Sequence, residues 1–330
     1  MSTITKVALA GVSYHFMTFP GLPSYNLHCT FFSVSACLPF AQATGNLGPS
    51  ILTQLIDAGF KVTALTRKSS THSFPASVTA APVDYESLDS LTNALKGQDA
   101  VVSTLGSAGM PAQLLLVEAA AKAQVKRFIP SEFGSNTLND KARVLPVFKP
   151  KVAVQDALRK EVASSGMTYT LLCTGPFLDW GIMVGLIMNL KTKSIDLFDG
   201  GDRLFSTTTL STIGKAVAGV LKHPEETKNR AVYVHDAAIT LNKLSAMGKK
   251  AAGGGEWKEN AVSTDELLEQ AWAELKKETP NPGIFVFNFL KKAIWGEGYG
   301  SFFEKPDNEL LGIKEMSDAE VQEVVNGVPK

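Results

Sequence analysis

A glycine-rich turn that arrives in two pieces is the strongest constraint on what this chain can fold into. Residues 6–11 have the sequence K-V-A-L-A-G, an apolar strand ending in Gly11, and residues 43–48 have the sequence A-T-G-N-L-G. Joined, they form a strand, a G-x-x-G-x-x-G turn and the start of a helix. The glycines of such a unit make the turn, admit a pyrophosphate close to the backbone and let the helix pack on the strand. The pattern therefore predicts a dinucleotide whose phosphates lie at the N-terminus of that helix.

Residues 12–42 separate the two pieces and differ from the rest of the chain in composition. They contain no charged residue, yet they hold Cys29 and Cys37, two of the 3 cysteines. Val12-Ser13 can be encoded as GTG-AGT, a common splice donor, and Gln42 as CAG, a common acceptor. We interpret the stretch as a translated intron, and the alternative is a genuine loop insertion. Either way, we expect weaker cofactor binding and lower stability than in a chain lacking residues 12–42.

Composition excludes several other classes of function. The chain has 32 basic and 32 acidic residues, and no basic stripe indicates nucleic-acid binding. Its cysteines lack regular spacing, which favours a reducing compartment, and no Cys/His pattern indicates a metal site. No run approaches the roughly 20 apolar residues that a membrane span requires. We expect a cytoplasmic monomer or homodimer that acts on a small-molecule substrate.

Short apolar strands alternate with helices over the first half of the chain. This alternation predicts an α/β fold with a Rossmann-type doubly wound parallel sheet. After residue 175 the pattern loosens and becomes mostly helical. We therefore expect an NAD(P)-binding Rossmann domain over residues 1–175 and a smaller, mostly helical substrate-binding region over residues 176–330, intertwined with it.

The ends of the predicted strands supply candidate cofactor contacts, because ligands of such sheets bind at the carboxyl ends of the strands. Arg67 ends the second strand, where an acidic residue would select NAD and a basic residue accommodates the 2′-phosphate of NADP. Arg67, helped by Lys68, therefore indicates NADP(H). The candidates from the turn and the strand ends are Gly11, Thr44, Gly45, Asn46, Leu47, Gly48, Arg67, Lys68, Ser103, Thr104, Leu105 and Gly106.

Several motifs together resemble the isoflavone reductase-like, NmrA-like branch of the atypical short-chain dehydrogenases. They are the split G-A-T-G-N-L-G loop, T-R at 66–67, S-T-L-G at 103–106, K-R-F-I-P-S-E-F-G at 126–134 and K-V-A-V-Q-D-A-L at 151–158. The resemblance covers most of residues 1–240, and the run at 126–134 is its most specific part. It implies an NADPH-dependent reductase of an aromatic or conjugated substrate. The alternative is a regulator that binds NADP(H) without turnover, as some NmrA-like members do.

The resemblance also implies that Lys151 is the active-site lysine and lies beside the cofactor. An ammonium in that place can act as general acid or base, or stabilise the oxyanion that develops as hydride is transferred. Lys149 is the nearest competitor, and a surface lysine at the start of a helix is the simpler interpretation. The sequence contains no Tyr-x-x-x-Lys pair, which ordinary short-chain dehydrogenases use.

Four further residues allow two interpretations each, and Cys173 allows one. Phe177, in the exit loop of the sixth strand, either lines the nicotinamide pocket or fills the core. Glu132 either contacts ligand or caps its loop. His223 and His235 are possible proton carriers, but the simpler interpretation is that His223 ends a helix and His235 ends a strand. Cys173 lies in a predicted buried strand, where we expect it to serve packing.

Overall fold

The computed structural model describes residues 3–11, 46–70, 73–106 and 109–329. Residues 12–42, which the sequence suggests to be an intron, lie outside these ranges. The strands within them are β1 (Lys6–Ala10), β2 (Lys61–Arg67), β3 (Thr79–Val83), β4 (Ala100–Ser103), β5 (Arg127–Ile129), β6 (Thr168–Cys173), β7 (Ser194–Phe198), β8 (Phe205–Thr207), β9 (Arg230–Tyr233), β10 (Ala237–Ile239) and β11 (Lys258–Val262).

Helices connect these strands and cover both faces of the sheet. They are α1 (Gly48–Asp57), α2 (Leu88–Leu95), α3 (Met110–Lys122), α4 (Asp140–Arg143), α5 (Lys149–Ser165), α6 (Leu178–Met183), α7 (Leu210–Lys222), α8 (Leu241–Ala251), α9 (Thr264–Leu275), α10 (Pro282–Trp295) and α11 (Asp318–Gly327). None of those helices combines the length and the apolar composition that crossing a membrane requires.

The central sheet is parallel and has the strand order β3-β2-β1-β4-β5-β6-β9. β1 lies in its interior, with Val7 opposite Val62 of β2 on one side and Ala100 of β4 on the other. The chain moves outward from β1 to β3 and then crosses back to β4, so the order reverses beside β1. This confirms the predicted doubly wound sheet and places its ligand crevice at the carboxyl ends of β1 and β4.

Alternation along β1 divides its side chains between two apolar layers. Val7 and Leu9 face the cluster that contains Ile51 of α1 and Val217 of α7, whereas Ala8 and Ala10 face the cluster formed with α2, α3 and α5. Side chains of a strand alternate between its faces, so a wholly apolar strand is the one buried on both sides. The small Ala8 and Ala10 and the larger Val7 and Leu9 are all fully buried.

The C-terminal half contributes to the central sheet as well as to a region of its own. β9 pairs with β6 at the edge of the sheet, and α7 packs on α1. The remaining elements form a second apolar cluster around Trp295, with the two-stranded sheets β8–β10 and β7–β11. That region is smaller and mostly helical, as predicted, and the short strands within it are additional. The proposed boundary at residue 175 therefore crosses elements that pack together.

Candidate functional site

The end of β1 forms a cradle that only glycine fits. Gly11 has a φ of +86°, and a Cβ built on it would lie 2.8 Å from the carbonyl carbon of Thr104 and 2.9 Å from the backbone nitrogen of Leu105. Thr104 closes this approach, because its backbone N–H and its Oγ1 both donate to the carbonyl of Ala10, at 2.9 and 2.8 Å. The exits of β1 and β4 are therefore joined into one floor of the crevice.

The start of α1 has no side-chain cap from its described N-cap residue. Leu47 is the N-cap residue and makes no side-chain capping bond, Pro49 lies in the first turn, and that turn has no acidic residue. The first N–H groups of a helix lack partners within the helix and lie at the positive end of its dipole, so such a terminus suits an anion. The Leu47 side chain packs in the core, which leaves the backbone of 46–48 for a ligand. Thr44 and Gly45, predicted beside it, lie outside the described residues.

Arg67 and Lys68 stand exposed at the carboxyl end of β2, as the strand pattern predicted. Sequence reasoning missed Tyr85, whose hydroxyl donates to the carbonyl of Leu65 at 3.0 Å. Burial raises the pKa of Tyr85 to about 12, against opposing effects of the Gly11 backbone and the Arg67 charge. The phenol therefore lies beneath the crevice between the ends of β1 and β2. Its position directly after β3 is the signal that could have identified it.

The segment after β4 continues the floor of the crevice. Ser103 is fully buried, and its Oγ has no hydrogen-bond partner in the part of the chain that the structure describes. Leu105 is half-buried and Gly106 is exposed. The carbonyl of Leu105 accepts a hydrogen bond from Ser131 Oγ at 2.8 Å, which ties this segment to the loop after β5.

Lys151 reaches that loop from the first turn of α5. Its Nζ donates to the backbone carbonyl of Glu132 and lies 3.8 Å from where a Cβ on Gly134 would be. The ring centroid of Phe148 is 6.0 Å from the same Nζ. Lys149 is exposed, whereas Lys151 is half-buried. The ammonium is thus held by a carbonyl at the carboxyl side of the sheet.

The loop after β6 closes the same edge. The N–H groups of Thr174 and Gly175 donate to the carbonyl of Gly134, at 3.1 and 3.0 Å. Gly175 has a φ of +64°, and a Cβ on it would overlap severely with the carbonyl oxygen of Ser206 in β8. Phe177 follows, half-buried against the core and edge-to-face with Trp180, with 6.2 Å between ring centroids. Sequence reasoning did not single out Gly175, since nothing local indicates β8 as its neighbour.

The remaining candidates lie apart from the crevice or are engaged in packing. Cys173 is buried, and this burial raises the pKa of its thiol far above the usual range, with the charge of Glu132 adding and that of Lys151 opposing. His235 is buried with its Nδ1 2.8 Å from Ser206 Oγ and its Nε2 3.3 Å from a Glu315 carboxylate oxygen. His223 is half-buried at the end of α7. No cluster suited to a metal ion occurs among the described residues.

Comparison with known proteins identifies the family. The sequence profile of the NmrA-like family matches residues 39–277, which is well over half of the chain. The chain belongs to the NmrA-like family. The matched range begins close to Ala43, so the central strand β1 lies outside it.

Two curated relatives of this NmrA-like chain are named oxidoreductases. Oxidoreductase aprR of Aspergillus flavus is 37% identical, over 87% of this chain and 97% of the relative. Oxidoreductase poxI of Penicillium oxalicum is 33% identical, over 85% of this chain and 91% of the relative. Among solved structures, AtPrR2 with NADP+ and (+)pinoresinol superposes with a TM-score of 0.71, at 21% identity, over 99% of each chain. This similarity confirms the fold.

Proposed function

We propose that the protein is an NADPH-dependent reductase of a small aromatic or conjugated substrate. The observation that carries this proposal is the glycine cradle of Gly11 beside the uncapped start of α1, at the point where the strand order reverses. A pyrophosphate fits there because backbone donors, not side chains, line the approach. The names of the two fungal relatives and the NADP+ bound to AtPrR2 support the same assignment.

The residues present fit the rest of NADP(H). Arg67 and Lys68 would hold the 2′-phosphate, because both are exposed at the end of β2 and a guanidinium binds phosphate through paired N–H donors. The segment from Ser103 to Gly106 would lie beneath the cofactor, and Phe177 would line the nicotinamide side. Asn46, Leu47 and Gly48 would bind through their backbone.

Lys151 would supply the proton chemistry. When bound, NADPH provides the hydride. The Lys151 ammonium, held on the Glu132 carbonyl, would stabilise negative charge developing on the substrate and donate a proton to it. The half-buried site strengthens that interaction, since charges interact more strongly where water is excluded. We further propose a cytoplasmic monomer or homodimer, with cofactor binding in residues 1–175 and substrate binding in residues 176–330.

The proposal is tested by fluorescence titration of NADPH and NADH against two proteins, the chain as given and the chain without residues 12–42. We expect the shortened protein to bind NADPH more tightly than the full chain and to prefer it to NADH. Equal affinities in the two proteins would show that residues 12–42 are a tolerated insertion. If neither protein binds either cofactor, the assignment to NADP(H) is wrong. Genomic and transcript sequences test the intron interpretation directly.

Replacing Arg67 with alanine should weaken NADPH binding about tenfold or more while leaving NADH binding nearly unchanged. The reason is that a charge-assisted hydrogen bond contributes about 1.5–3 kcal/mol, and only NADPH carries the 2′-phosphate. Lys61→Ala is the matched control, because Lys61 is an exposed cation at the opposite end of the same strand. A loss of affinity shared equally by the two cofactors would contradict the role of Arg67.

A further inference from the structure

The loop after β5 contains a buried carboxylate that the mechanism above does not use. Glu132 is 1% exposed, and Thr137 and Gln155 are fully buried. Thr137 Oγ1 donates to Glu132 Oε2 at 2.8 Å, and Gln155 Nε2 donates to Glu132 Oε1 at 2.9 Å. Gln155 Nε2 also donates to Thr137 Oγ1 at 2.7 Å, so each of the three side chains bonds the other two.

This triad surrounds the carboxylate with neutral donors. None of the ion pairs in the described ranges includes the Glu132 carboxylate, whose side-chain partners are Thr137 and Gln155. A buried polar group without partners is costly, and a buried charge more so. Thr137 and Gln155 therefore stabilise the Glu132 side chain in its buried position.

The same residue also holds the ammonium of Lys151. Gln155 lies one turn beyond Lys151 on α5, and residues four apart on a helix share a face. The side chain of Glu132 thus contacts the second turn of that face, while its backbone carbonyl accepts from Lys151 Nζ in the first turn. The two attachments fix α5 and its lysine relative to one loop residue.

Neighbouring bonds fix that loop against the crevice. Ser131 Oγ donates to the carbonyl of Leu105 at 2.8 Å, and Ser131 N–H donates to Gln113 Oε1 at 2.7 Å. On the other side, Gly134 accepts from the N–H groups of Thr174 and Gly175. These bonds hold residues 131 and 134 on either side, and the triad holds residue 132, whose carbonyl binds Lys151, between them.

We propose that Glu132, through Thr137 and Gln155, is a positioning residue that holds the Lys151 ammonium at the crevice. The inference deepens the proposed function and rests on it for its catalytic meaning. When the hydrogen-bond pattern of the triad is broken, the carbonyl of residue 132 moves and Lys151 turns toward solvent. A side chain that touches neither substrate nor cofactor would then control the reaction through another residue.

The test compares two single variants with their combination. Glu132→Gln replaces one of the two accepting carboxylate oxygens with an NH₂ group, which faces a donor of Thr137 or Gln155. Gln155→Glu replaces the donating amide with a carboxylate, so that two carboxylates face each other. The double variant E132Q/Q155E again pairs one amide with one carboxylate. Asp156→Asn is the matched control, because Asp156 is the next residue on α5 but is exposed and paired with Arg159. Thr137→Val and Thr137→Ser form a second pair, of which only the serine retains the hydroxyl.

The readout is acetylation by trace acetic anhydride, followed by mass spectrometry of Lys151 relative to the exposed Lys149. We expect the ratio to rise at least about twofold in E132Q, Q155E and T137V, the lower end of couplings within one hydrogen-bond network. E132Q/Q155E, T137S and D156N should retain the parent ratio. Thermal melting identifies variants that do not fold. If E132Q or Q155E does not fold, the comparison of T137V with T137S tests the inference.

An unchanged ratio in folded E132Q and T137V would overturn the inference, even if their melting temperatures fall, because a purely structural role predicts that result. Failure of the folded double variant to restore the ratio would overturn it too. NADPH affinity should stay at the parent value in every folded variant. The labelling needs no cofactor, so a failure of both the full chain and the chain without residues 12–42 to bind NADPH would disprove the proposed function and leave this test intact.

Discussion

Lys151→Ala should lower turnover by at least about 100-fold while leaving NADPH affinity unchanged within about threefold, since a positioned acid or base contributes about 10²–10⁴ in rate. The substitution removes the ammonium that Glu132 holds, yet it leaves the cradle of Gly11 and the start of α1 intact. The measurement pairs steady-state kinetics on the substrate found by screening with fluorescence titration of NADPH on the same preparation.

Lys149→Ala is the matched control for this result. Lys149 lies in the same helical turn as Lys151 but is exposed, so its loss should change neither turnover nor affinity. Full turnover in Lys151→Ala would remove the lysine from the mechanism. A parent protein that binds NADPH, reduces no substrate and captures a protein partner would instead favour the NADP(H)-dependent regulator that the family resemblance also allows.

Gly175→Ala should lower the free energy of unfolding by about 3 kcal/mol or more. A left-handed conformation costs an L-residue about 1–2 kcal/mol, and relieving an overpacked contact costs typically 1–3 kcal/mol more. Both apply here, because Gly175 has a φ of +64° and its added Cβ would overlap with the Ser206 carbonyl. Equilibrium unfolding in urea, monitored by circular dichroism, measures the difference.

Gly166→Ala separates those two contributions. Gly166 ends α5 with a φ of +73°, but a Cβ built on it would meet nothing within 4 Å. We therefore expect this control to lose only about 1–2 kcal/mol, the conformational part alone. Equal losses in the two variants would show that the approach of β8 to the β6 exit loop does not restrict residue 175.

The sequence predicted the strands and helices that a local pattern of apolar residues defines. The strands β1 to β6 and the helices between them follow the alternation of apolar strands with helices that the first half of the chain shows. It did not predict α10 or the strands of the second cluster. β8 and β10 have only three residues each, too few to show a period. α10 lacks a clean polar face because Ile284 and Phe287 are exposed although they are apolar.

The residues of the candidate site also divide into those that local sequence patterns define and those that depend on tertiary contacts. Gly11 and Arg67 were predictable because a motif and the end of a strand define them. The bonds that hold Lys151 were not, since Glu132 meets Gln155 across 23 positions of sequence and Gly175 meets Ser206 from a different sheet. Tyr85 also acts at a distance, on the end of β2. Contacts of this kind arise from the assembled sheet, and of these residues only Tyr85 has a local signal, its position after β3.

The pairing of β9 with β6 has a consequence for how this protein is made. The chain leaves the ribosome with its N-terminus first. β6 therefore emerges well before its partner β9, which follows α7 in the sequence. Until Arg230–Tyr233 is released, β6 is an exposed edge with unpaired backbone groups, open to pairing with other chains. The apolar face of α1 is likewise uncovered until α7 has been synthesised. Synthesis that pauses before that point prolongs the time for which the edge of β6 is unpaired and open to aggregation.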